Sequence, residues 1–231
     1  MRILTRTKEN AKLSKSLGTE YEIISLFLHP SVTLCPYASR HCLAACLNTS
    51  GLAGVFPKIL EARKKKSKMF LETPERFYGL VISDIISATK KAKKENKILA
   101  FRPNGTSDVR EFSQFASMFP ELRVYDYTKD IEKIRDYASG KLPRNYHLTF
   151  SYSGENEAES KEALALGVNV AVVFSSDKFP ETFWGFPVIN GDNSDLRFLD
   201  PSPCIVGLKA KGKAKKKQSS FVIPVESLKT K

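Results

Sequence analysis

Seven short apolar segments, each ending in turn-forming residues, limit most strongly what this chain can fold into. They are YEIISLFLHP (21–30), KILAFRPNG (97–105), LRVYDYT (122–128), YHLTFSYSG (146–154), NVAVVFSS (169–176), FPVING (186–191) and CIVGLKAKG (204–212). Their β-branched and aromatic content, bounded by Gly, Pro, Asn and Ser, reads as strand. The first five are separated by helical patterns, two of them before the second strand: SGLAGVFPKILEARKKKSKMF and TPERFYGLVISDIISATKKAKKEN. Thr73, Pro74 and Glu75 have the order of an N-cap, a first helical residue and a first-turn acid. Ser107 or Asp108 stands where a cap would open the helix after the second strand, and Gly140 and Gly167 stand where the next two helices would end. Strands that are almost continuously apolar, alternating with helices, predict a parallel sheet covered by helices. Beyond residue 177 the helical patterns fade, so loops are expected to join the last two strands.

The expected class is α/β: an incomplete (β/α) barrel of about six to seven mostly parallel strands, in preference to an open doubly wound sheet. A single domain over 1–231 is expected, with an N-terminal extension (1–20) and a basic C-terminal segment (213–231). The barrel is favoured because unusual polar residues gather just after strand upon strand: His29, the cysteines, RPNGTSD, DYT, SYSG, SSD and NGDNSD. In a parallel β/α architecture these positions share the carboxyl-end rim, where sites are built. Turn chemistry alone also favours Asn, Asp, Ser and Gly at such places.

Three of the four cysteines, Cys35, Cys42 and Cys46, lie within twelve positions after the first strand, spaced C-x6-C-x3-C. A helix from Arg40 to Leu47 would put Cys42 and Cys46 at i and i+4, about 5–6 Å apart at Cβ. Pro36 keeps Cys35 on a loop over that pair. Clustered thiols in a chain without signs of secretion point to metal or catalysis rather than disulfides. Zinc, with Zn–S near 2.3 Å, needs sulfurs within about 4 Å of one another, whereas an iron–sulfur cluster suits the wider spacing. The candidate metal ligands are therefore Cys35, Cys42 and Cys46, holding a [4Fe–4S] cluster foremost, or [3Fe–4S], with one iron open to a small or anionic ligand. Zinc and unmetallated thiols are the alternatives. Cys204, at the opposite end of a strand, reads as a buried structural thiol.

The remaining candidate ligand-binding residues are Arg102, Asn104, Thr106 and Asp108 in RPNGTSD, Asp192 in NGDNSDLRFLD, and Lys209 and Lys211 in GLKAKG. For Asp108 the competing job is helix capping. Asp192, Asp195, Arg197 and Asp200 lack the spaced pattern of a calcium loop, and an internal Arg197–Asp pair is expected to brace that loop. Lys209 and Lys211 share one side of a strand, where they either receive an anion or guard an edge. Asn10 and Lys12 either fold over the rim or belong to a flexible tail.

A net charge of +12, much of it in runs at 62–68, 90–97 and 209–217, makes nucleic acid a possible partner. No zinc-finger, RRM or KH signature accompanies it. No G-x-S-x-G, Walker A or G-x-G-x-x-G motif occurs, which argues against those routes to hydrolysis and nucleotide binding. No apolar run approaches a membrane span, and no secretory leader is evident, so neither membrane nor export is expected.

The succession ENAKLSK, LHP, CPYASRHCLAACLNTSG, EARKKKSKMF, RPNGTSDV, NGDNSDLRFLDP and GLKAKGKA resembles a family of phage proteins, the gene product eighty-eight family. That resemblance spans nearly the whole chain; it implies a viral origin and a host-cytoplasmic location, and carries no activity with it. More distantly, a cysteine trio after strand one of a partial barrel is similar to the radical S-adenosylmethionine enzymes. There three cysteines hold a [4Fe–4S] cluster whose open iron takes the cofactor, which would make S-adenosylmethionine a possible ligand and radical chemistry a possible activity. This chain departs from that pattern in its cysteine spacing, C-x6-C-x3-C rather than C-x3-C-x2-C, and in lacking a Gly-Gly-Glu after strand two.

Overall fold

The computed structural model of the chain describes residues 2–46, 48, 51–215 and 219–225. In chain order the elements are β1 (Thr5–Arg6), β2 (Tyr21–Ser25), α1 (Arg40–Ala44), α2 (Gly51–Val55), α3 (Pro57–Glu72), α4 (Pro74–Lys94), β3 (Ile98–Arg102), α5 (Gln114–Met118) and β4 (Arg123–Thr128). There follow α6 (Ile131–Ala138), β5 (Tyr146–Ser151), α7 (Glu157–Ala165), β6 (Val170–Phe174), β7 (Thr182–Phe183), β8 (Phe186–Asn190), β9 (Ile205–Lys209) and β10 (Val222–Ile223).

The strands form one ten-stranded sheet in the order β1-β2-β3-β4-β5-β6-β9-β8-β7, with β10 paired to β6. From β2 to β6 each strand lies beside its predecessor in the chain and parallel to it. The strands from β2 to β6 are thus wound in one direction, without the reversing order of a doubly wound sheet. The sheet does not close. All seven expected strands are present; β1, β7 and β10 are additional. The sheet is thus larger than the expected six or seven strands, because these two-residue pieces add to its margins, and nothing in its order singles out the radical-enzyme barrel.

Alternation along the strands sorts the core into two faces. Ile24, Phe101, Val124, Leu148, Val172 and Ile205 point outward into a cluster with helix residues such as Phe77, Val81, Ile85, Phe115, Ile134 and Leu164. On α4 the buried positions Phe77, Val81, Ile85, Ala88 and Ala92 trace one helical stripe, each large member worth about 1.5–3 kcal/mol of burial. The opposite face carries Tyr21, Ile23, Ala100 and Tyr125, plugged by Leu13 from the N-terminal segment and by Leu196 and Phe198. The N-terminal twenty residues are therefore not a loose extension: Leu13 is fully buried against the sheet. The segment 213–231 lies partly outside the described residues; its described part returns to the sheet as β10, beside Val173 and Phe174. No helix among the described residues is long and apolar enough to cross a membrane.

Two capping expectations need correction. Thr73 occupies the cap position of α4, but its hydroxyl turns back to donate to the Met69 carbonyl at 3.2 Å. Ser107 and Asp108 cap nothing. The Ser107 hydroxyl donates to Asn104 Oδ1 at 2.8 Å, Asp108 Oδ2 accepts from the Lys129 amide at 2.8 Å, and helical turns start only at Arg110.

Candidate functional site

Helix-covered parallel strands leave their carboxyl ends exposed to the loops, and here those loops enclose a cavity of about 900 Å3. Its walls come from the segment after β2 (Cys35, Cys42, Cys46), the turn after β3 (Asn104 to Asp108), Lys129 after β4, and Lys209 and Lys211 at the end of β9. Helix α3 contributes Ile59, Ala62, Arg63 and Lys66, and the N-terminal segment contributes Glu9, Asn10, Lys12 and Lys15. All ten candidate residues from the sequence, Cys35, Cys42, Cys46, Arg102, Asn104, Thr106, Asp108, Asp192, Lys209 and Lys211, line this one cavity.

What each side chain does there differs. Arg102 Nη1 donates to both carboxylate oxygens of Asp195 at 3.1 Å, and its guanidinium lies 4.6 Å over the Tyr127 ring. Asn104 is a hub of its own loop. Its amide group donates to the Val109 carbonyl and Asp126 Oδ2, its Oδ1 accepts from Ser107 and from the Val109 amide, and its backbone N–H donates to Asp126 Oδ1. Thr106 donates to the Leu28 carbonyl at 2.5 Å. Asp192 accepts from the Lys209 amide and the Lys211 ammonium, while Lys209 Nζ reaches Asp177 Oδ2 at 2.8 Å. The expected brace is present as well, Arg197 Nη1 lying 3.1 Å from Asp200 Oδ2.

Thiols form one part of the wall. Ser39 caps α1 by accepting from the Cys42 amide at 3.0 Å, so Cys42 sits in the first turn and Cys46 just beyond the helix's end. Cys35 Sγ donates to the Thr106 carbonyl at 3.9 Å. Burial pushes the Cys35 thiol up to about 12 and raises that of Cys46. Lys129 answers them: burial alone would lower its ammonium, but Cys42, Asp108 and Cys35 outweigh burial and raise it. No disulfide joins the described cysteines. Among the described residues no three His, Cys, Asp or Glu side chains stand as a group that could hold a metal ion. Cys204 is fully buried at the start of β9, away from the trio, as expected.

Several lining residues escaped the sequence reading. Ten basic side chains line the cavity against the three carboxylates of Glu9, Asp108 and Asp192; beside Lys12, Arg102, Lys209 and Lys211, which the sequence had offered, these are Lys15, Lys58, Arg63, Lys66, Lys129 and Lys215. Arg63 and Lys66 belong to a run that composition assigns to solvent. Helical spacing divides it, since Ile59, Ala62, Arg63 and Lys66 fall on one stripe facing the cavity. Tyr127 and Lys129 were legible in the same way, from the period of two along β4 and just past it. At the floor, Lys12 Nζ lies 3.0 Å from Asp195 Oδ1 and 4.9 Å over the Tyr127 ring. Burial alone would push the Asp195 carboxyl up, but Lys12 and Arg102 overcome it and hold it at about 2.

A model of the family described as gene product 88 matches residues 2–224. The chain belongs to the gene product 88 family. This is a family of phage gene products, so the succession of motifs from ENAKLSK to GLKAKGKA, which includes the cavity's cysteines, Arg102 to Asp108 and Asp192, lies within the matched span. Searches of curated proteins and of solved structures found no match for this gene product 88 protein.

Proposed function

We propose that this gene product 88 protein works through the rim cavity, which takes a small anionic ligand, and that Cys35, Cys42 and Cys46 hold an iron–sulfur cluster against its wall. The observation that carries this reading is the shared lining: three thiols and ten basic side chains, drawn from separate segments, border the same space. Cationic walls around a concave volume attract anions.

The choice of a cluster over a single ion rests on spacing. A tetrahedral zinc needs sulfurs within about 4 Å of each other, closer than the C-x6-C-x3-C spacing readily supplies. A multi-iron core reaches ligands that stand farther apart. Three protein thiolates would leave one iron open, and a bound cluster would supply electron transfer or Lewis-acid chemistry there. The chain's own residues do the rest. Lys129 offsets thiolate charge beside Cys42 and Cys35, and the lysines of the N-terminal segment and of β9 attract the ligand. No radical step is proposed; S-adenosylmethionine stays a ligand to be tested at the open iron. A reducing host cytoplasm would keep the thiols available.

Anaerobic purification, with an absorption spectrum and iron, sulfide and zinc analysis, tests this reading. Iron and sulfide in about equal amounts with a broad visible band is the expected result. One equivalent of zinc without iron or sulfide, or no metal at all, overturns the cluster. Titration with S-adenosylmethionine, followed by electron paramagnetic resonance, decides whether that molecule binds the open iron.

A second reading rests on Lys90, Lys91, Lys93 and Lys94, exposed together at the end of α4. They would attract the backbone of nucleic acid without reading its sequence. Such binding would weaken steeply with salt and would be indifferent to loss of the cysteines.

A further inference from the structure

The floor of the cavity holds an amine in an unusual setting. Lys12 comes from the N-terminal segment, yet only 22% of its side chain is exposed. Its Nζ has one anionic neighbour, the wholly enclosed Asp195 carboxylate at 3.0 Å, which is already shared with the Arg102 guanidinium and the Tyr125 hydroxyl. Beneath it lies the Tyr127 ring at 4.9 Å, and the enclosed Tyr127 hydroxyl has no hydrogen-bond partner among the described residues. Arg102 is stacked on that same ring at 4.6 Å. An ammonium so enclosed, sharing its single counter-charge with a guanidinium, is poorly stabilised and readily gives up its proton to become a nucleophile.

We propose that Lys12 is a covalent-binding residue whose amine condenses with the carbonyl group of an anionic ligand to form an imine. The Nζ lone pair attacks the carbonyl carbon, a C–N bond forms, and the C=O π pair moves to oxygen. Both amine protons then leave with that oxygen as water, and the C=N bond remains; no oxidant or reductant is consumed. The imine nitrogen then takes up a proton from water, and Asp195, beside Nζ, stabilises the resulting positive charge. The Tyr127 hydroxyl, without a hydrogen-bond partner among the described residues, is the group assigned to bond the departing oxygen. The basic lining, Lys15 and Lys211 among it, selects a carbonyl compound that also carries phosphate or carboxylate.

The electrostatics of the site agree with this geometry. Burial pushes the Lys12 ammonium down to about 8, with Arg102 and Arg197 adding to the shift and Asp195 opposing it. Lys66, another lining amine, is likewise lowered to about 8, first by burial and then by Arg63. Asp84 and Glu9 oppose that shift from a distance, but among the described residues no carboxylate is paired with Lys66 to hold an iminium, and it therefore serves as the internal comparison.

This assignment shares the cavity with the ligand reading but does not depend on the cysteines. The test uses the full chain, with and without bound iron, and pyridoxal 5′-phosphate as the probe. Borohydride reduction fixes any imine, and peptide mapping by mass spectrometry locates it. Labelling at Lys12 is expected to exceed that at exposed lysines such as Lys64 and Lys90 by at least about tenfold. It should occur whether or not iron is bound, and should weaken with pyridoxal, which lacks the phosphate. In Lys12→Arg, checked for folding by circular dichroism, the dominant label should vanish. Label at Lys12 no greater than on exposed lysines overturns the proposal, as does label dominated by Lys66. Equal reaction with pyridoxal overturns the anionic class of the ligand. Both decisive readings are made on the wild-type chain, so a variant that fails to fold does not affect them.

Discussion

Arg102 and Asp195, 93 residues apart in sequence, meet in the interior, where one guanidinium nitrogen donates to both carboxylate oxygens. This contact ties the end of β3 to the loop between β8 and β9, and Lys12 and Tyr125 close on the same carboxylate. Removing one partner of such a pair leaves the others buried without a counter-charge. Asp195→Ala is expected to cost about 3–5 kcal/mol. Tyr125→Phe, which deletes one hydrogen bond, should cost about 1 kcal/mol. Urea unfolding of both variants checks this, and equal costs would contradict the role given to Asp195.

Asp126 makes stability depend on pH in an identifiable window. Its enclosed carboxyl is pushed up to about 6 by burial, despite Lys133 and the donors on Asn104 and Tyr146. Between about 4 and 6 the folded chain binds a proton there that the unfolded chain does not, so this group's contribution falls as pH rises through that window. His147, lowered by burial from 6.5 to about 4, acts in the opposite sense: its neutral folded form loses stability as pH drops below 6.5. Asp126→Asn removes the first term and keeps the second. Unfolding measured from pH 6 to pH 4 should therefore show the variant losing stability more steeply than wild type.

Gly105 is constrained by its neighbours rather than by its backbone angles. A Cβ there would meet the Leu26 carbonyl oxygen and the Phe27 ring at 2.7 Å. Gly105→Ala should destabilise by about 1–3 kcal/mol and displace Phe27 from the cavity wall. Gly79, exposed within α4, meets nothing within 4 Å. There Gly79→Ala should stabilise by about 0.5–1 kcal/mol. Thermal unfolding of the two variants should shift in opposite directions.

The four cysteines should separate into three and one. Cys35→Ala, Cys42→Ala and Cys46→Ala are each expected to abolish or sharply reduce bound iron and sulfide in anaerobically purified protein. Cys204→Ala should keep both, at a stability cost of about 1–2 kcal/mol from the small cavity it leaves. Iron analysis beside urea unfolding makes the comparison, and loss of iron in Cys204→Ala alone would contradict the assignment.

Much of the fold could be read from the chain because parallel strands buried on both faces write long apolar runs, as in NVAVVFSS. The rim followed from polar residues repeated at strand ends. What escaped is physically intelligible. Strands of two residues, such as β1 and β10, carry no periodicity. The capping expectation for Ser107 failed because Asn104 Oδ1, three residues before it, takes the Val109 amide, and helical turns begin only at Arg110. Between rim and tail the sequence could not decide for Lys12, because its partner, Asp195, lies far along the chain, and only tertiary structure joins them. Arg63 and Lys66 were hidden in a charged run whose helical stripe, with Ile59 and Ala62, shows which members face inward.

An anomalous difference map at the iron absorption edge, from a crystal of anaerobically purified protein, tests the central claim most directly. A strong peak in the rim cavity bonded to the sulfurs of Cys35, Cys42 and Cys46, and absent at Cys204, is the expected result. No iron signal at that wall, or a lone zinc in its place, would contradict it.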